Sequence, residues 1–310
     1  MELSDEALTA ITQLLSGERL GPYMAIAGAP RAAVALHQQT VQVASSLMSV
    51  IAVVEIALRN VVCDHLAAHF ANRDWLRNPP TSFVWREQEK ARIGEAVASA
   101  RRAAYAKLDT TRKRAIDDQL FRNGVPAAIS HERHAKIRQQ SLPISQGQIV
   151  AQLTLFFWKR LFSSEYESSL WRPVLKRVFP DKQLRRAVVA GQLECIYQTR
   201  NRIAHHEPVY GKRLRDALSA IGFVITRLGQ REPSRATPLA QLLADEWQAL
   251  STQAEDLRRR IGVRPIARAA RLVSGLVFGQ PASLVFLTPQ VTARWQERLL
   301  RPLPSVCPNV

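Results

Sequence analysis

The sequence predicts an all-α fold, and three observations carry that prediction. Apolar residues recur at three- and four-residue steps over long stretches. Prolines and capping signals punctuate those stretches. Only two short runs near the end, GLVF (275–278) and SLVFL (283–287), have the look of strands.

The elements follow in order. From Pro30, a residue favoured at the first helical position, to about Phe70, the residues Val43, Leu47, Val50, Ile51, Val54, Leu58, Val61, Val62 and Leu66 form one apolar stripe on a long helix. Pro79-Pro80 ends the segment after it. The stretch 85–122 is again helical in spacing but highly charged, so most of its surface is expected in solvent. The stretch 123–143 carries Gly124, Pro126 and Pro143 among basic residues and reads as a loop or loosely held arm. Ser145 and Gln148 have capping-box spacing ahead of the apolar run IVAQLTLFFWKRLF. Pro173 and Pro180 separate two shorter helices. A further long helix is expected over 181–206, because Pro208 forces its predecessor out of the helical region. Helical patterns at 213–228 and 238–261 come next. The expected division is a helical domain over 1–261 and a basic, less regular C-terminal extension over 262–310, packed on the bundle. No internal repeat or low-complexity tract is present.

Composition narrows the function classes. Of 310 residues, 46% are hydrophobic, enough for a sizeable core. Lys and Arg number 43 against 26 Asp and Glu, a formal charge of +17 with a pI near 10.8, which is the electrostatic footprint of a nucleic-acid binder. The acidic start MELSDEALTA has no apolar core of a secretory signal. The apolar stretch 47–58 is too short to span a bilayer and contains Glu55, and 272–287 is broken by Gly279 and Pro281, so no membrane segment is expected. Cys63, Cys195 and Cys307 are isolated, which fits a reducing cytoplasm better than a disulfide framework. His65 and His69 have the i, i+4 spacing that zinc sites use, but no third ligand follows, so neither metal nor cofactor is expected. There is no P-loop, G-x-S-x-G elbow or G-x-G-x-x-G, which leaves NTPase, hydrolase-triad and dinucleotide chemistry without support.

The densest chemistry lies in RNRIAHHEPV (200–209). At about 100° per residue on a helix, Arg200, Tyr197, Asn201 and His205 fall on one arc, and the small Ala204 leaves a depression among them. His206 points elsewhere and, with Glu207, finishes the helix; Glu207 is also placed to reach a second subunit. One reading makes Arg200, Asn201 and His205 a catalytic set. The other has Arg200 pair with a core carboxylate such as Glu55 while His205 caps the helix end, where cations are favoured. Glu55, Arg59 and Asn60 on the long helix carry the same ambiguity. Glu55 and Arg59 form a simple i, i+4 pair, or the three pack behind Arg200 and orient it. His131 and His134 read as solvated.

The motif resembles the R-x(4–6)-H signature of the HEPN superfamily, matched here by Arg200, Asn201 and His205. The chain is similar in particular to the Abi-like (abortive-infection) branch. VVEIALRNVVCDHL (53–66), IVAQLTLFFWKRLF (149–162), YESSLWRPVLKRVFP (166–180) and RNRIAHHEPV occur in that family's order, spanning 36 to about 228. One departure is Leu155-Phe156-Phe157-Trp158, where the family usually has a glycine between aromatic residues. The resemblance implies a HEPN-like bundle of long helices and a homodimer with two motifs facing each other. It also implies a metal-independent endoribonuclease acting as an anti-phage toxin in a prokaryotic cytoplasm, governed by an antitoxin or a phage trigger. His205 would be the general base toward the RNA 2′-hydroxyl, Arg200 the phosphate clamp, and Asn201 an orienting group. Glu55, Arg59, Asn60, His206 and Glu207 would support the site or touch RNA. The products would carry 2′,3′-cyclic phosphate ends. The alternative is a non-catalytic helical module that binds RNA or protein.

Overall fold

The computed structural model describes residues 4–262 apart from 127, 231 and 233. Among them there is no strand, and the all-α expectation holds. Expectations for the C-terminal extension beyond residue 262, including its two short strands, lie outside the described residues.

Two helices that the sequence reading did not anticipate come first, α1 (Asp5–Leu15) and α2 (Gly17–Ala27). The hydroxyls of Ser4 and Ser16 cap them by accepting the amides of Ala7 and Arg19. The long helix α3 runs Pro30–Phe70 with proline at its start, as expected. At a 1.5 Å rise it extends roughly 60 Å. Eight of the nine stripe residues are buried; Val61 alone is half-exposed.

The charged stretch divides into α4 (Glu87–Ala106) and α5 (Thr110–Leu120), because Asp109 caps the second helix by accepting the Arg112 amide at 2.8 Å. The expected loop after it is instead partly helical. α6 (His131–Ser141) begins at Ser130, whose hydroxyl accepts the Arg133 amide. None of its residues is fully buried and the side-chain bonds that hold it are polar, which is why apolar periodicity missed it. Asp117 of α5 accepts from Arg138 Nε at 2.7 Å and pairs with His134 at 2.7 Å. Tyr105 accepts a further hydrogen bond from Arg138 at 3.3 Å. His134 is therefore pinned into this cluster and not solvated.

The capping box at Ser145 and Gln148 is present, yet the helix it opens, α7 (Gln146–Val150), is short. A turn separates it from α8 (Leu155–Arg160). The region around Pro173 also differs from two short helices. It comprises a 3-10 turn (Ser164–Tyr166), a π turn (Glu167–Trp171) and a second 3-10 turn (Leu175–Val178). Continuous burial of large side chains drives this, with Tyr166, Leu170, Trp171, Val174, Leu175, Val178 and Phe179 all interior. α9 (Arg186–Ala204), α10 (Gly211–Arg227), α11 (Pro238–Leu242) and α12 (Ala244–Ile261) follow. Their bounds differ modestly from expectation, since 181–185 remain outside α9 and Leu243 interrupts 238–261.

α3 is the axis of this arrangement. α2, α8, α9, α10 and α12 all pack against it. By length and composition alone α3 is apolar enough to cross a membrane, a property that core helices share. An aromatic cluster closes one end of the core. Phe83 and Trp85 meet edge-to-face at 4.8 Å, and Trp75, Phe157 and Tyr166 surround them. α4 is moored beneath by Glu89, only 1% exposed, which accepts from Arg160 Nε at 2.8 Å and from the Tyr166 hydroxyl at 2.7 Å.

Candidate functional site

The end of α9 is set by its sequence. His205 is the C-cap, and its amide donates to the Asn201 carbonyl at 2.9 Å. His206 then adopts a left-handed φ of 58°. The His206 amide reaches the Ile203 carbonyl at 2.9 Å, and the Glu207 amide reaches that of Arg202 at 2.7 Å. These are the two bonds of a Schellman motif, with histidine where glycine is usual. The Arg202 guanidinium folds over the turn onto Glu207 at 2.5 Å. Pro208 lacks an amide hydrogen and cannot continue the helix. His205 is thereby left exposed at the helix end, one turn beyond Asn201.

Arg200 and Asn201 line an open cleft of about 260 Å³. The other walls are Tyr197 of α9, Arg92 of α4, and Thr154, Leu155 and Phe156 at the start of α8. Arg200 is half-buried, and among the described residues no ion pair or hydrogen bond holds its guanidinium. Two arginines thus open into one hollow without an acidic side chain in its lining.

Glu55 lies behind this wall. Burial pushes its carboxyl above the usual carboxylate range, although the charges of Arg200 and Arg59 and a hydrogen bond from the Leu155 amide oppose that rise. Neither arginine forms an ion pair with Glu55 among the described residues. Their influence is electrostatic, and it makes Glu55 the junction of α3, α8 and α9.

The remaining expected site residues divide. Arg59 is half-buried, and its buried Nε has no hydrogen-bond partner among the described residues. Asn60 is exposed on α3. Neither lines the cleft. His206 and Glu207 face a separate, smaller hollow of about 110 Å³ with Arg19 and Tyr23 of α2. His205 itself is not in the cleft lining. Among the described residues, no three His, Cys, Asp or Glu side chains gather as a metal site would require.

Sequence reasoning put Tyr197 on the same arc as Arg200 and Asn201, which it precedes by three and four residues, but gave it no role. It missed the other wall residues, among them Phe156 and Arg92. Phe156 lies in an apolar run in which its neighbours Leu155, Phe157 and Trp158 are all buried in the core, so nothing in the run singled it out. Arg92 gave no local signal, because only packing of α4 brings it to the cleft.

Fold and site together describe a helical protein with a cationic cleft beside the end of one helix. The chain belongs to the Abi-like protein family, whose family model matches residues 30–211, more than half of its length and the whole of the cleft. Membership points to an abortive-infection-related function. Among curated proteins and among solved structures, nothing matches this chain.

Proposed function

We propose that this Abi-like protein is a HEPN-type endoribonuclease that cuts RNA as an abortive-infection effector. The observation that carries this reading is the Arg200 guanidinium, without an ion pair among the described residues, opening into the cleft beside Asn201, with His205 exposed at the end of the same helix. RNA supplies its own nucleophile, the 2′-hydroxyl, so the protein's task is proton transfer and charge stabilisation. His205 takes the 2′-hydroxyl proton as the oxygen attacks the adjacent phosphorus. Arg200 holds the phosphoryl oxygens as negative charge accumulates. The bond from phosphorus to the 5′-oxygen breaks, and that oxygen takes a proton from a second acid, leaving a 2′,3′-cyclic phosphate and a 5′-hydroxyl. A second copy of the chain supplies that acid in a homodimer. Glu55 positions Arg200 through its field, and the chain's +17 charge draws the RNA in.

The purified chain, incubated with mixed cellular RNA and EDTA, tests this. Wild type is expected to cleave and leave cyclic phosphate ends detectable by mass spectrometry. Arg200→Ala and His205→Ala should each lower the rate by about 10²- to 10³-fold. Unchanged cleavage by both variants overturns the mechanism.

One observation favours a second reading. His205 does not line the cleft, so a single chain offers the cleft for binding without an adjacent base. A binding-only module then retains RNA in a salt-dependent way and leaves it intact.

A further inference from the structure

The wall of the cleft opposite to expectation is aromatic and cationic, and no part of the cleavage chemistry uses it. Phe156 and Tyr197 sit 5.8 Å apart with their planes at 55°. Both are half-buried and both present surface to the cleft. The Arg92 guanidinium lies 5.6 Å from the centre of the Phe156 ring. Lys159 reinforces the pair from a position outside the cleft lining. Its ammonium is 4.4 Å from the Tyr197 centre and 5.1 Å from that of Phe156, and Glu194 holds it at 2.5 Å. Lys159 is 13% exposed, so this is a built support and not a passing contact. It braces the rings, and both still contribute to the cleft lining.

Arg92 is held lightly by comparison. Its partner Glu95, at 2.8 Å, is 63% exposed and Arg92 itself 51% exposed. Exposed pairs of this kind contribute little and exchange readily for another anion. The cleft therefore offers a guanidinium at each of two places, Arg92 and Arg200, with ring faces between the elements that carry them. Nucleobases stack on aromatic faces and guanidinium planes, and phosphates take bidentate arginine contacts. Duplex RNA keeps its base faces covered by neighbouring pairs, so a stacking wall selects for unpaired nucleotides.

We infer that Phe156, Tyr197 and Arg92 form a nucleotide subsite, in which an unpaired base beside the phosphate held by Arg200 stacks on the aromatic pair and its own phosphate is bound by Arg92. The inference rests on the reading of the cleft as an RNA site and gives that site a substrate class, single-stranded RNA. Tyr197 and Arg92 are binding residues here and take no part in proton transfer.

The test uses the full chain and an uncleavable probe, a fluorescent 2′-O-methyl single-stranded oligonucleotide and its duplex. Fluorescence anisotropy is followed across a range of salt concentrations, and cleavage of natural RNA is scored separately. Wild type should bind the single strand at least about tenfold more tightly than the duplex. Tyr197→Ala should weaken single-strand binding by roughly five- to a hundredfold, the range of one lost stacking contact, while Tyr197→Phe keeps it. Arg92→Ala, on an exposed turn where folding is not at stake, should reduce the salt slope by about 0.7. Arg112→Ala, at an exposed arginine of α5 outside the cleft lining, should leave the single-strand preference unchanged. Equal affinity for strand and duplex, or wild-type affinity in both Tyr197→Ala and Arg92→Ala, overturns the subsite. If the binding pattern appears without any cleavage, the subsite stands and the nuclease reading fails. If wild type cleaves while the binding pattern is absent, the reverse holds.

Discussion

His205 donates its amide hydrogen to the carbonyl of Asn201 at 2.9 Å, and with that bond the regular helix of α9 ends. The residue proposed to move a proton is thus also the cap, and its exposure depends on the turn that follows. His206 sustains that turn in a conformation that costs an L-residue about 1–2 kcal/mol. His206→Gly should therefore be as stable as wild type or more so, by up to about 1 kcal/mol, and should keep its cleavage rate. His206→Val should lose about 1–2 kcal/mol. Urea melts followed by circular dichroism measure both, and greater stability of the valine variant would contradict the turn geometry.

Glu89 gives a second prediction. It is buried and serves Arg160 and Tyr166 together, so its removal strands a guanidinium and a phenol. Glu89→Ala should cost on the order of 3–5 kcal/mol. Glu89→Gln, whose carbonyl oxygen can still accept from Arg160 while its NH2 group donates to the Tyr166 hydroxyl, should cost clearly less. Chemical denaturation of the two variants checks this, and a glutamine variant as unstable as the alanine one would contradict it.

Asp117 predicts a pH dependence. Hydrogen bonding to Arg138, and then to His134, holds its carboxyl at about 2, below the ordinary 3.8. A depressed carboxyl stabilises the fold above its unfolded value and loses that contribution as the pH falls toward 2. Asp117→Asn should therefore destabilise the protein by about 1–2 kcal/mol at pH 7, a figure discounted for the site's partial access to water. The gap to wild type should narrow between pH 4 and pH 2. Melting curves at stepped pH follow it, and a gap that stays constant would remove the cluster's role.

Glu55 runs with the opposite sign. Its raised carboxyl means that the folded state penalises the charged form, with the penalty growing as the pH rises from the ordinary value of about 4.3 through the raised one. Glu55→Gln should thus be no less stable than wild type at pH 7, with any advantage gone below pH ~4. Its cleavage rate should fall, because Arg200 loses the charge that positions it. A variant that is less stable at neutral pH and fully active would show that Glu55 serves only the fold.

The long helices were legible where one side faces the core, as in α3, which Pro30 starts and whose apolar stripe runs on toward Phe70. Legibility failed where burial is continuous or polar. In IVAQLTLFFWKRLF nearly every residue is apolar, so the turn between α7 and α8 left no mark on the periodicity. α6 is held by Arg138 and His134 against Asp117, a face that no apolar pattern records. At the site, helical spacing put Arg200 and Asn201 on one face of α9, whereas His205, which ends the helix as its C-cap, does not join them in the cleft lining. Arg92 was not legible, since its role comes from the docking of α4, far away in sequence.

The mooring of α4 has a practical corollary. Because Glu89 anchors that helix from below, its outer turn can be altered without unseating it. Burial pushes the thiols of Cys63, to about 12, and Cys195 upward, so both resist alkylation at neutral pH. A cysteine introduced at Glu95, in a Cys307→Ser background, would accept a dye selectively and report ligand entry as a change in emission.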